Sequence, residues 1–499
     1  MKNLQIGDND LIGNKFNGHD LHIYLNKIGI ESNHLIANSP ISNDKKTFQI
    51  GSDYAKGLRN KMIEADDYYN LVGGTHTLPY DIMYNKLFLK SDVVHMHLIQ
   101  NQMFNFNLLP LMTSLKPTVW TLHDPSSLTG HCIHPFECKE WKEGCKDCPS
   151  LQIPFNIDVD TTALNWEMKR IAIQNSQITF IVSSKWMYNL VKQSPIFKHC
   201  DVHIVPFGID QNIFKSAETE LAKQKLGISP DSTTIMFRAG DNLFKGVDLL
   251  LETLPKLKSK NNKKITLIIV NSDKRFSGSL ERKFNILKYG WINDDKKLAQ
   301  LYQACDMFLM PSRAESFGMM AVEAMSVGKL IIAVKGTALS DTTKAPKIGV
   351  LCDRNPEALR IVIQNFIDNP DERRKRGELA RQYALTEYNL EKYIKKIVEV
   401  YKIAIKNHKP SAHRDIVVAQ LLKHKPYKKV KENLITQKVY LFGFIMIGKL
   451  SRNLYNDDSV TVLKFPFKKK VYPRKTKYYF LGIPILKIRT LSNVAGTKK

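Results

Sequence analysis

The sequence predicts an α/β protein built of two Rossmann-like domains and a small, basic, β-rich C-terminal appendix. Three observations carry that reading. Short apolar runs alternate with helical patterns to about residue 405, the order expected of open parallel sheets. The segment Val205-Pro-Phe-Gly-Ile-Asp210, with its Pro and Gly, separates two such series. Beyond Asn407 the composition turns to Lys, Tyr, Phe and Ile with strand-like alternation.

The first series opens on a buried strand, Asn3 to Gly7, then a loop, Asp8 to Gly18, and a helix from about His19 to Ile28. Asp92 to Leu98, Pro117 to Leu122 and Ile178 to Ser184 read as its further strands. The second series runs through Thr234 to Arg238, Ile265 to Val270, Met307 to Met310 and Leu330 to Val334, and a helix, Leu390 to Ile405, closes it. The expected domains are therefore 1–205, 206–385, a connecting helical stretch 386–407, and a tail 408–499.

A chain of 499 residues with 43% hydrophobic content has room for two or three globular cores. No signal peptide is visible at Met1-Lys-Asn-Leu, and the longest strongly apolar run, Val439 to Gly448, is about half of what a spanning helix needs. The chain reads as cytoplasmic, with a peripheral position on the inner face of the membrane as the variant. Of the net charge of +26, residues Pro410 to Lys499 supply +16, from 20 Lys and Arg against 4 Asp and Glu. That concentration points to an anionic partner for the tail. Lys423 to Lys431, Lys468-Lys-Lys470 and Arg474-Lys475 interleave with aromatic and aliphatic residues, a pattern suited to an anionic membrane surface. A basic appendix contacting the catalytic domains or a second subunit is the plainer alternative. No nucleic-acid module accompanies the charge. The tail also repeats itself: Lys438-Val-Tyr-Leu-Phe-Gly and Lys477-Tyr-Tyr-Phe-Leu-Gly align Lys, Tyr and Gly.

The chemistry concentrates at Glu315-Ser-Phe-Gly-Met-Met-Ala-Val-Glu323. A strand-like run ends at Pro311 before it, and a helical stretch to Val327, stopped by Gly328, follows. Strand, loop and helix N-terminus together offer backbone N–H groups and partial positive charge to a phosphate. The two carboxylates, eight positions apart, can accept hydrogen bonds from sugar hydroxyls. Spacing of that kind is otherwise a solvated helix face, so the longer string from Tyr302 to Met325 decides. It resembles the E-x7-E motif of retaining glycosyltransferases of family 4, which have the GT-B fold, two Rossmann-like domains facing a cleft.

The resemblance covers most of residues 1–405 and implies a set of roles. Arg238 and Lys245, in Phe237-Arg-Ala-Gly-Asp-Asn-Leu-Phe-Lys-Gly246, match the family's Arg…Lys-Gly element and would bind the donor diphosphate. Without a metal, such cations and backbone N–H groups are what stabilise the leaving pyrophosphate. Glu323 would bind ribose and Glu315 a hydroxyl of the donor sugar, with backbone N–H groups near Phe317, Gly318, Met319 and Met320 completing the contacts. His123, in Trp120-Thr-Leu-His-Asp124, would lie beside the donor sugar, with Asp124 orienting the acceptor. Gly13 and Gly18 occupy the place of the family's Gly-rich loop. The last helix would cross back to the first domain. No cofactor is implied for catalysis. The partners implied are a UDP- or GDP-linked sugar and a glycan or lipid-linked acceptor, in surface polysaccharide or lipopolysaccharide synthesis. Two other readings stay open: a non-catalytic sugar-nucleotide-binding scaffold, and an epimerase or phosphorylase on the same fold.

Cys132, Cys138, Cys145 and Cys148 fall within seventeen residues of an insertion at 130–149. Four thiolates so spaced can close a structural zinc site, with His131 or His134 able to replace one of them. Reduced thiols and disulfides are the alternatives.

Overall fold

The computed structural model describes residues 1–423 apart from 12, 14, 52, 101–102, 241 and 260–264, and beyond these six strands between 435 and 489. Met1–His424 forms one compact unit and Lys425–Lys499 another.

The larger unit holds two parallel sheets. The first comprises β1 (Lys2–Gly7), β2 (Glu31–Ile36), β3 (Thr47–Gln49), β4 (Val93–Met96), β5 (Thr118–Leu122), β6 (Ile178–Val182) and β7 (Asp201–Ile204). Their spatial order is β3-β2-β1-β4-β5-β6-β7. The second comprises β8 (Thr234–Arg238), β9 (Thr266–Val270), β10 (Asn285–Tyr289), β11 (Met307–Met310), β12 (Leu330–Val334) and β13 (Val350–Cys352), in the order β10-β9-β8-β11-β12-β13. In β5, β6, β9, β11 and β12 every residue is buried, because helices cover both faces. Such strands read as continuous apolar runs without alternation.

The segment between the lobes is more than a spacer. Phe207 is buried and packs against Phe317, Tyr393, Phe16 and His123, with ring centroids 5.4 to 5.8 Å away. Ile209 donates its N–H to the Tyr388 carbonyl at 3.0 Å, so the two chain crossings run side by side. The helix Leu390–Asn407 then lies on the first lobe, where Ile394, Ile397, Val400 and Tyr401 fill a core with Val93, Val119 and Ile181.

The tail begins later than the composition change at Asn407 suggests. Helix Arg414–Lys423 sets Val417, Val418 and Leu421 on the first-lobe core, which extends the compact body to His424. Beyond it lie two three-stranded antiparallel sheets. The sequence echo appears there as two hairpins, Ile435–Leu441 with Ile445–Arg452, and Lys475–Phe480 with Ile483–Arg489. Their registers slip at matching places, Val439/Tyr440 and Tyr478/Tyr479. The side chains of this tail, and with them the expected basic and aromatic surface, lie outside the described residues. Among the described residues, no helix is long and apolar enough to cross a membrane.

Candidate active site between the lobes

Each sheet reverses its strand order once, between β1 and β4 and between β8 and β11. In open parallel sheets, ligands bind beyond the strand C-termini at such a point. The loops leaving β1, β5, β8 and β11 carry the residues singled out by the sequence, and they meet. A cavity of about 380 Å³ is lined by His123 and Asp124 from the first lobe and by Arg238, Lys245 and Glu315 from the second. A second, of about 150 Å³, shares Arg238, Lys245 and Glu315 and adds Phe16, Met319 and Met320.

The cations are held without being consumed. The Arg238 guanidinium lies 4.5 Å from the centre of the Trp291 ring, a cation–π contact that fixes the plate and leaves its edge for an anion. Burial lowers its pKa, and the nearby charges of Glu315 and Glu323 work against that. Lys245 donates to Glu315 Oε1 at 2.7 Å, with both side chains partly exposed. The Glu315 carbonyl accepts the N–H of Ala338 at 3.0 Å, which anchors the loop.

Gly318 starts helix Met319–Val327 with φ +88°, a backbone that side chains disfavour, and a Cβ there would sit 2.5 Å from Leu339 Cδ2. The first N–H groups of this helix have no partner within it and point toward its N-terminal end. Phe317 itself faces the core, packed on Phe207 and Tyr388. Its side chain is therefore structural.

Glu323 lies behind the cavity wall, tied to the other lobe. It is buried, its Oε1 receives Lys15 Nζ at 2.8 Å, and its Oε2 receives the Tyr302 hydroxyl at 3.1 Å. Lys15 belongs to the loop after β1 and also meets Asp295 at 3.4 Å. Burial opposes its charge, but Glu323 and Asp295 outweigh burial and raise its pKa. A second tie crosses the cleft from Ser184 Oγ to the Ser316 carbonyl, 2.6 Å. Gly13 and Gly18 shape the same loop: the Gly13 carbonyl accepts N–H bonds from Phe16 and Asn17, and Gly18 caps the first helix, His19–Lys27. The loop's cleft contacts come from Lys15 and Phe16.

His123 ends a buried chain of hydrogen bonds. Its Nε2 meets His97 Nδ1 at 3.1 Å, and His97 Nε2 meets Gln5 Oε1 at 2.7 Å. Gln5 Nε2 donates to the Tyr401 hydroxyl at 2.9 Å, which also meets His95 Nδ1 at 2.8 Å. An amide oxygen only accepts, so His97 carries its proton on Nε2. Burial holds both imidazoles neutral, His97 well below its ordinary pKa and His123 at about 3. His97 Nδ1 therefore accepts from His123 Nε2–H, and His123 Nδ1 keeps a lone pair with no partner among the described residues. Asp124 is bound within its own lobe, to Ser126 N–H and Gln100 Nε2, and burial raises its pKa.

The cysteine insertion packs onto the first lobe. Among the described residues, no three His, Cys, Asp or Glu side chains converge in a geometry that could hold a metal ion. Trp141 and Cys145 instead belong to the first-lobe core, and Cys145 Sγ accepts the Gly130 N–H at 3.2 Å. Burial pushes the Cys132 thiol up to about 11 and Cys145 to about 12, so both stay protonated at neutral pH. The four are free cysteines.

Sequence spacing did not single out Lys15, Phe16, Phe207, Trp291, Tyr302 or Tyr401, whose roles arise only from tertiary packing.

Comparison with known proteins bears on the fold. Residues 218–383, within the second lobe, match the family model Glycosyl transferases group 1. The chain is 25% identical over 193 residues to D-inositol 3-phosphate glycosyltransferase of Segniliparus rotundus, covering 37% of this chain and 43% of that one. It is 29% identical over 195 residues to the uncharacterized 41.2 kDa protein in the cps region of Klebsiella pneumoniae, covering 38% and 50%. The chain spans about half the length of the curated relatives it matches. Among solved structures it resembles sucrose-phosphate synthase of Thermosynechococcus elongatus, with TM-score 0.57, 16% identity and coverage of 81% and 100%. Anabaena HepE in complex with UDP gives 0.56, 15%, 81% and 100%. WaaG, a glycosyltransferase involved in lipopolysaccharide biosynthesis, gives 0.53, 16%, 80% and 99%. The fold of the two lobes is that of the GT-B glycosyltransferases.

Proposed function

We propose that the chain is a retaining glycosyltransferase of family 4 that moves a sugar from a nucleoside-diphosphate donor to a glycan acceptor. One observation carries this reading: Arg238, Lys245, Glu315 and His123 line one cavity where the two lobes meet. As the glycosidic bond breaks, negative charge gathers on the departing diphosphate. Arg238, Lys245 and the helix start at Gly318 supply the positive charge that stabilises it. Glu315 sits on the same wall and can accept a hydroxyl of the sugar once Lys245 turns to phosphate. His123 offers a neutral face and a lone pair to the donor's hydroxyls. With retention, the acceptor attacks from the side the diphosphate leaves, and a phosphate oxygen takes its proton.

The UDP complex of HepE supports a nucleotide-sugar donor. WaaG, together with the cps-region protein, supports a surface polysaccharide or lipopolysaccharide product and hence a lipid-linked acceptor. The basic tail suits a peripheral membrane position. Flotation of the whole chain with vesicles tests it: binding to phosphatidylglycerol but not phosphatidylcholine is expected, and equal binding to both refutes it. For the activity itself, donor sugars with UDP and GDP are mixed with protein and lipid-linked glycans. Release of nucleoside diphosphate with an α-linked product from an α-linked donor is expected. Inverted product refutes retention, and nucleotide binding without transfer favours the scaffold reading.

A further inference from the structure

The insertion that carries the four cysteines also reaches the cavity between the lobes. His134 lines that cavity beside Glu315 and Lys245, and is 5% exposed. Its Nδ1 accepts the N–H of Phe136 at 3.0 Å, so that nitrogen cannot carry a proton. The ring's proton is on Nε2, and Nε2 has no partner among the described residues. A buried N–H left unpaired is costly, and native proteins rarely keep one without a use. The ring is oriented by stacking on Trp186, with centroids 5.7 Å apart and planes 13° off parallel.

Phe136 and Glu137, two and three residues beyond His134, grip the opposite lobe. The Phe136 ring stacks on Phe244, at 5.7 Å, and lies under the Arg313 guanidinium, at 4.6 Å. Glu137 accepts both of its hydrogen bonds from Arg313 Nη2, at 2.9 and 3.1 Å. Arg313 N–H in turn binds the Phe244 carbonyl at 2.9 Å. Phe244 precedes Lys245, and Arg313 lies two residues before Glu315. The grip therefore falls on both loops that carry the cavity's charged residues. Phe136 holds a left-handed backbone, φ +47°, to make this contact.

We infer that the cysteine-rich insertion is a working part of the donor site: His134 gives its Nε2–H to an oxygen of the donor's sugar unit, and Phe136 with Glu137 clamps the Lys245 and Glu315 loops around it. The inference rests on the proposed transfer reaction and adds a sugar-recognition residue to it. An N–H at this place selects a hydroxyl or carboxylate oxygen on the sugar and ignores the nucleotide.

The test compares two ligands on the full chain by titration calorimetry: the UDP- or GDP-sugar that most raises the melting temperature, and its nucleoside diphosphate. His134→Phe keeps the ring stacked on Trp186 and removes the N–H. It should weaken the sugar nucleotide about three- to tenfold, the range of one neutral hydrogen bond, while the diphosphate holds within about twofold. His134→Gln, which returns an amide N–H near the Nε2 position, should recover part of the loss. Phe136→Ala, which frees the loops of Lys245 and Glu315, should weaken both ligands with His134 intact, the sugar nucleotide more than the diphosphate. Melting temperatures identify any variant that has failed to fold, and for such a variant the Gln substitution decides. Equal weakening of both ligands, or no change in either, overturns this inference and leaves the transferase reading standing. A wild-type chain that binds neither ligand overturns both.

Discussion

Replacing Lys245 by Met separates a catalytic cation from a merely structural one. In the structure Lys245 Nζ is 2.7 Å from Glu315 Oε1, with side-chain exposures of 29% and 13%. A pair that open to water contributes about 0.5–1 kcal/mol to stability, so the melting temperature should hardly move. Losing one group aimed at developing oxyanion charge costs far more in rate, about 10²–10³-fold or 3–4 kcal/mol. The two magnitudes differ enough to be told apart. Glu315→Gln and the double variant complete a cycle, read by release of nucleoside diphosphate. If both residues contact the donor, each single variant is impaired and the double is at least as impaired as the worse one. If Lys245 serves only to neutralise Glu315, the Gln substitution restores activity to Lys245→Met, and the reasoning fails.

Other outcomes follow from the same structure. Lys15→Met leaves the Glu323 carboxylate buried without its cation, and loss of one partner of a buried pair costs about 3–5 kcal/mol; urea unfolding checks this, and a change under 1 kcal/mol contradicts it. Tyr401→Phe removes the hydroxyl between Gln5 and His95 and should cost about 1–3 kcal/mol. The same variant should lower turnover more than diphosphate affinity, because His123 loses the chain that fixes its proton. Acid should unfold the protein early. Burial depresses His34, His95 and His123 to about 3 and His134 to about 4, so their stabilising neutrality is complete above the unfolded value near 6.5 and is lost as pH falls toward those folded values. Each contributes about 1.4 kcal/mol of loss between pH 7.5 and 5.5, roughly 5 kcal/mol for the four together. Denaturant midpoints that stay constant over that range refute it.

Much of this was legible in the residues. β8, β11 and β12 begin and end where the sequence places them, since their interiors are continuously apolar and buried. At β4 the apolar run outlasts the ladder by two residues, since the chain already turns toward the cleft at His97, whereas β5 ends with its run at Leu122. Arg238, Lys245 and Glu315 were legible as a local pattern. Lys15 was not, because its partner Glu323 is 308 positions away and no local spacing marks the pair. The histidine chain was hidden for the same reason: His97, His123 and Tyr401 come from two strand ends and the crossing helix. The cysteines are legible as a cluster, but their packing is not. Their spacing suits a metal, while burial of Trp141 and Cys145 in the first-lobe core gives the loop its hold.

The most direct measurement is calorimetric titration of a nucleoside diphosphate into the wild type and into the Arg238→Ala, Lys245→Ala double variant, at fixed salt. Tight binding by the wild type that drops at least a hundredfold in the folded variant is the predicted outcome, since two charge-assisted contacts to phosphate vanish together. Affinity that survives the double substitution would contradict the assignment of those two side chains to the leaving group, and with it the whole account of transfer.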